Sequence, residues 1–273
     1  MSFQLNNNIN NSISQLSEAS NKKLLLAIQK LSTGLQLNSA SDGAANLALS
    51  EKLDSSTRSA TASINNSQLE KAMAQVAESD LGSISQNNSR IRDLALQSAN
   101  GVYGDSERAM MQQEVNQLSQ ENDRIAQSSS FSDKKLLDGS ADGTQVMIDQ
   151  KAAPVTIKEA FKSASQSSIG IDSVDISSPA NALALVDKID NAQKTINERR
   201  SELGSVSKSL DSDITRKQVV VENLTASNST IRDTDIAQQM SNLVNAKIMS
   251  SAAATMQSVA NSSQSTVLGL LRT

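Results

Sequence analysis

The chain has 273 residues, a formal net charge of −4 and a pI near 5.0, with no Cys, no His, no Trp and one Tyr. Those counts exclude disulfides, thiolate or imidazole metal centres and a cysteine nucleophile, and they remove the commonest general base. An acidic chain of this kind also offers no basic surface to a nucleic acid.

Large aromatic rings fill thick cores. A chain with 1% aromatic residues is therefore expected to form slender helices packed in thin layers. Residues 1–38 carry Ile9, Ile13, Leu16, Leu24, Ile28, Leu31 and Leu35, mostly three or four apart, which is one helical stripe. Ser39-Ala40-Ser41-Asp42-Gly43 breaks it. From Ala44 the pattern resumes, with Leu69, Met73, Val76, Leu81, Ile84, Ile91 and Leu94 on a narrow stripe that stops at Asn100-Gly101. Tyr103 to Glu107 reads as a turn with Asp105 or Ser106 as the next N-cap. Met110, Met111, Val115, Leu118 and Ile125 then mark a shorter helix ending at 127–130.

Between Phe131 and Ser178 the character changes to short strands. Val146, Ile148, Val155 and Ile157 alternate with polar residues, predicting a hairpin across Lys151 to Pro154; Ile169, Ile171, Val174 and Ile176 alternate more loosely. Asp138, Ser140, Asp142, Gly143 and Asp149 match five positions of a calcium-binding loop. The last is Asp rather than Glu and the flanks are not helical, so a tight turn is expected.

The longest periodic stretch follows Ser178-Pro179, a hydroxyl cap and a proline suited to a helix start. Ile189, Ile196, Leu203, Leu210, Lys217, Leu224 and Ile231 recur every seven residues, with Val186, Val206, Ile214 and Val221 filling in. A helix over this span is roughly 75 Å long. Lys217, the single break, marks a polar contact or a thinning of the core. Glu198-Arg199-Arg200 reads as a solvated or intersubunit face. Ile236, Met240, Leu243, Val244, Ile248, Ala252, Met256 and Val259 continue the pattern, followed by Val267, Leu268, Leu270 and Leu271. Both ends are thus amphipathic helices whose stripes one chain cannot bury, which points to assembly. No apolar run approaches the ~20 residues of a membrane span. Met1 to Ser12 lacks the basic and apolar regions of a secretory signal, so the chain is expected to be cytosolic or to leave by a route that reads no such signal.

Several segments carry a family resemblance. Leu31-Ser-Thr-Gly-Leu-Gln-Leu-Asn-Ser-Ala-Ser-Asp-Gly-Ala-Ala45 resembles the N-terminal signature of bacterial flagellins. Ser89-Arg-Ile-Arg-Asp-Leu-Ala-Leu-Gln-Ser-Ala-Asn-Gly101 is similar to the end of that family's first rod helix. Phe131-Ser-Asp-Lys-Lys-Leu-Leu-Asp-Gly139 resembles its turn into a hairpin. Glu202-Leu-Gly-Ser-Val206, Ile231-Arg-Asp-Thr-Asp-Ile236 and Val267-Leu-Gly-Leu-Leu-Arg272 fit its C-terminal part, in the same order.

The resemblance implies a mainly α fold: a long antiparallel helical bundle or coiled-coil rod, about 45–231, with a small β-hairpin region at about 131–178. Both termini, 1–44 and 232–273, would form an α-helical coiled-coil inner domain at the filament core. With some fifty residues between the hairpin and the last rod helix, the chain is similar to short flagellins without outer variable domains. The implied function is that of a structural, self-assembling subunit of the helical flagellar filament, extracellular and serving motility. It would be exported unfolded by the flagellar type III apparatus, with no cofactor and no enzymatic role. Its implied partners are copies of itself, an export chaperone acting on the last forty residues, the filament cap and the hook-junction proteins, with no nucleic acid and no membrane. Leu24, Ile28, Leu31, Leu243, Ile248, Val267, Leu268 and Leu271 are expected to bury the inner-layer stripe. Arg90, Leu94 and Glu114 match positions read by Toll-like receptor 5 of a host, with Asp93 where glutamate is usual. The terminal leucines similarly resemble what a cytosolic inflammasome sensor reads. The alternatives are the hook–filament junction protein of the same superfamily and a non-polymeric coiled-coil adaptor or secreted effector.

Overall fold

A computed structural model describes the backbone at 2–141, 145–146, 155–156 and 161–270, and side chains over 10–141 and 161–263. Among the described residues lie five α-helices: α1 (Ser2–Thr33), α2 (Ala44–Ala99), α3 (Asp105–Ser128), α4 (Pro179–Arg232) and α5 (Ile236–Leu270). A short 3₁₀ turn, Ala40–Asp42, occupies the expected breaker. The chain forms two compact units, one from Met1–Arg58 with Glu222–Thr273 and one from Ser59–Val221.

In the Ser59–Val221 unit, α4 carries two buried series at heptad spacing. Ala182, Ile189, Ile196, Leu203, Leu210 and Lys217 form the first; Leu185, Ala192, Arg199, Val206 and Asp213 form the second. Their apolar members join Leu81, Ile84, Ile91 and Leu94 of α2 and Val115 and Ala126 of α3 in one apolar cluster. Leu69, expected on the buried stripe of α2, is 58% exposed instead, because the stripe runs through Ala74, Ala77 and Leu81 and leaves it on the opposite side.

The second series of α4 contains two charges, and each is answered internally. Arg199 was expected on a solvated or intersubunit face. It is buried, and its Nη1 donates to the carbonyls of Lys162 (3.2 Å) and Ser163 (2.9 Å), ending the chain's return from the hairpin region. Asp213 is buried with Lys217, whose Nζ lies 2.7 Å from Asp213 Oδ2; Arg216 reaches Asp213 Oδ1, and Lys217 also donates to Ser63 of α2. The break in the heptad series is thus a polar contact within the unit. At the surface, Arg92 donates to both carboxylate oxygens of Asp190 (2.6 and 3.2 Å), which holds that carboxyl below the usual carboxylate range. Stability from this pair is therefore present above the ordinary aspartate pKa and is lost as pH falls through the depressed one.

Helix α3 begins one residue earlier than expected. Gly104 is the N-cap rather than Asp105 or Ser106, and its N–H donates to Glu107 Oε2 at 3.0 Å. A Cβ at Gly104 would stand 2.8 Å from that oxygen, so a larger residue there would make the flexible end of the Glu107 side chain shift and would disturb this cap.

Two small antiparallel pairs are described. β1 (Ser130–Phe131) pairs with β2 (Lys134–Lys135) across Ser132 and Asp133, both at positive φ (47° and 68°), a two-residue turn suited to the twist of a hairpin. β3 (Gln145–Val146) pairs with β4 (Val155–Thr156) in the register Val146↔Val155, on either side of the expected hairpin. Ile148, Ile157 and Lys151–Pro154 lie outside the described residues, as do Asp142, Gly143 and Asp149. Asp138 accepts from the N–H and Oγ of Ser140 (2.8 and 2.6 Å), a local turn. The looser alternation at 169–176 does not make strands. Ile169, Ile171 and Ile176 are buried, but the segment's backbone is met by side chains: Gln112 donates to Val174 O and accepts from Ile176 N (2.7 Å), and Ser98 Oγ donates to Ile176 O. Side-chain clips thus do the work a neighbouring strand would have done.

Candidate assembly surface

The unit formed by the chain's two ends is built on α1 against α5. The residues that close this pair are small: Ser20 and Ala27 of α1, seven apart, and Ala246, Ala253 and Ala260 of α5, again at seven-residue spacing. Small side chains let two helix backbones approach closely. The close approach leaves the larger apolar side chains outside the seam. Leu25, Leu26 and Ile28 on α1 and Ile236, Val244, Ile248, Met256 and Val259 on α5 are all more than 40% exposed.

Of the residues expected on the inner-layer stripe, Leu24, Leu31 and Leu243 are half-buried, while Ile28 and Ile248 are 47% and 60% exposed. Val267 and Leu268 lie on the backbone of α5 with side chains outside the described residues, and Leu271 lies beyond them. The alanine seam had no counterpart in the sequence reading, since Ala and Ser carry little weight in an apolar pattern. The seven-residue recurrence of Ala246, Ala253 and Ala260 was the available signal.

Alongside the seam runs a groove of about 510 Å³, lined by Leu16, Leu26, Ala27, Ala246 and Met249 and rimmed by Lys23, Lys30, Gln239 and Asn242. The pair is pinned near its middle by Ser250 Oγ donating to Asn21 Oδ1 (2.8 Å). At its base the two connecting segments are joined: Gln36 N donates to Arg232 O (2.7 Å), Thr234 N to Gly34 O (3.0 Å), and Leu35 bridges Asp233. Asp42 accepts from the backbone N–H of Ser39 and Asn38, which holds its carboxyl below the usual range and fixes the bend into α2.

In the other unit, Arg90 and Glu114 come together on the surface, Arg90 Nε to Glu114 Oε1 at 2.7 Å. Leu94 does not join them there; it is 2% exposed and packs in the core beneath. Asp93 is exposed beside them. Among the described residues no cluster of potential metal ligands occurs, and no helix is long and apolar enough to cross a membrane.

Comparison with known proteins places this architecture. The model of the bacterial flagellin N-terminal helical region matches residues 5–142, and that of the bacterial flagellin C-terminal helical region matches 186–271. A flagellin of Halalkalibacterium halodurans is 34% identical over 90% of this chain and 91% of its own length. A flagellar filament 31.3 kDa core protein of Treponema maltophilum is 34% identical with the same coverage. A Bacillus subtilis flagellin is 32% identical over 96% of both chains. Among solved structures, Bacillus cereus flagellin aligns with a TM-score of 0.51 and 27% identity, over 56% of this chain and 88% of its own. A putative flagellar hook-associated protein from Vibrio parahaemolyticus shares the fold at a TM-score of 0.61 and 16% identity.

Proposed function

The chain belongs to the bacterial flagellin family and is a structural, non-enzymatic subunit of the extracellular flagellar filament; from that premise we propose which of its surfaces build the polymer. The filament core is assigned to 1–44 with 232–273 and the surrounding rod to 45–231. Leu24, Ile28, Leu31, Leu243 and Ile248, continued by Val267, Leu268 and Leu271, are the stripe that neighbouring copies cover. The observation behind this reading is the inversion on α1 and α5, with alanines inside and isoleucines outside. A monomer exposing so much contiguous apolar surface has a partner for it, and copies meeting through non-identical patches form an open helical polymer.

Ile248→Asp tests the assignment. The residue is exposed, so the subunit is expected to keep its helix content, while its critical concentration for polymerisation rises at least ~tenfold, since a charge would be buried at the contact. Light scattering on seeded subunits measures it; an unchanged critical concentration would remove Ile248 from the interface.

Unassembled ends of this kind suit export as an unfolded chain through the type III route, with a chaperone on the last forty residues and with cap and hook-junction proteins bounding the polymer. Ordering of the ends on contact then couples folding to assembly. The hook–filament junction alternative is supported by no more than a fold shared at 16% identity with a putative hook-associated protein, whereas the flagellin relatives match along nearly the whole chain.

Recognition by Toll-like receptor 5 is proposed for the Arg90–Glu114 pair, with buried Leu94 acting by holding α2 in place. Arg90→Ala in monomer is expected to lower potency in a receptor reporter assay about tenfold. Equal potency, or no response to the parent protein, would end this part of the proposal.

A further inference from the structure

The chain has no Cys, no Trp and no His, so methionine is its main oxidisable side chain. The methionines with described side chains divide sharply. Met73 is 8% exposed in the core and Met111 is partly buried against that core, whereas Met110 of α3 (60%) and Met240, Met249 and Met256 of α5 (48%, 45% and 55%) are exposed. Two of these sit at a telling place. The seam alternates Ala246, Ala253 and Ala260 with the half-buried Leu243, Ser250 and Gln257, Ser250 bonding Asn21 across it, so Met249 and Met256 lie just outside the α1-facing stripe. Both stand about half in water, with Met249 lining the open groove.

We infer that Met249 and Met256, with Met240, form an oxidation-sensitive site on the assembly surface: peroxide converts them to sulfoxides in the free subunit and blocks its addition to the filament, while assembly shields them. The inference rests on the assembly surface proposed above. In the reaction the thioether sulfur attacks one peroxide oxygen, the O–O bond breaks, sulfur is oxidised by two electrons as an S–O bond forms, and water leaves. The product is polar and chiral where an apolar, adaptable side chain was needed. It would be desolvated at the contact with no donor matched to it.

The test uses full-length subunits and filaments exposed to hydrogen peroxide, followed by peptide mass spectrometry and seeded elongation. In free subunits, Met240, Met249 and Met256 should oxidise well ahead of Met73; in filaments the same three should be protected. Oxidised subunits should show a critical concentration raised at least ~tenfold, restored by methionine sulfoxide reductases A and B together. M249L/M256L subunits should lose a smaller share of their own starting activity on the same treatment. Sulfoxides on α5 with undiminished elongation, or equal oxidation of the three in subunit and filament, overturn the inference. Untreated parent subunits that fail to elongate seeds overturn the assembly-surface reading and this inference with it.

Discussion

Subunits lacking Val267–Thr273 are expected to reach the medium at near-parental levels and to form no filaments. The truncation removes Val267, Leu268 and Leu270 of α5 and Leu271 after it in the sequence. Burying such a side chain stabilises by about 1.5–3 kcal/mol. Four of them amount to roughly 6–12 kcal/mol per subunit, as large as the whole free energy of a contact with an affinity from tens of micromolar to about nanomolar. The core of the Ser59–Val221 unit contains none of these residues, so the subunit should remain folded there. Immunoblots of culture supernatant set beside electron microscopy of cell surfaces measure both halves; filaments of normal length from the truncated chain would refute the expectation.

Asp213→Ala is expected to cost the Ser59–Val221 unit about 3–5 kcal/mol, because it strands the Lys217 ammonium at a core position without its carboxylate. Both residues occupy heptad core positions of α4, and the Asp213 side chain is only 2% exposed. Arg216, whose side chain is 65% exposed, can turn to solvent; Lys217 at 11% cannot do so without leaving the seam. D213L/K217L should recover most of the loss or exceed the parent, since an apolar pair removes both desolvation penalties. Urea unfolding followed by circular dichroism gives the comparison. Loss below ~1 kcal/mol for D213A would show that water reaches the pair.

The helices were legible in the sequence because their signals were redundant. The Ser178-Pro179 start agrees with Ser178 Oγ accepting from Asn181 N (3.2 Å), and the Asn100-Gly101 stop falls just past Ala99. Lys217 was legible as an interruption because every other member of its series is apolar. Asp213 and Arg199 were not, since a charged residue at a core position is visible only through partners distant in sequence, Ser67 and the carbonyls of 162–163. Alternation misled at 169–176 for a related reason. Buried isoleucines at period two describe an extended chain whatever satisfies its backbone, and here Gln112 and Ser98 do so. On the assembly surface the bulky residues drew attention to the outside of the α1–α5 pair, while the alanines that determine which side is outside are the weakest apolar signal available.

The contact between Asn21 and Ser250 joins residues 229 apart in the chain. Closing so long a loop from an open coil is entropically costly, though the cost grows only with the logarithm of length. Within the Ser59–Val221 unit, Ser63 is already bonded to Lys217. Once that unit is folded, the search left to the two ends is that of short tethered arms. This arithmetic favours an order in which the middle of the chain collapses first and the ends zip together last.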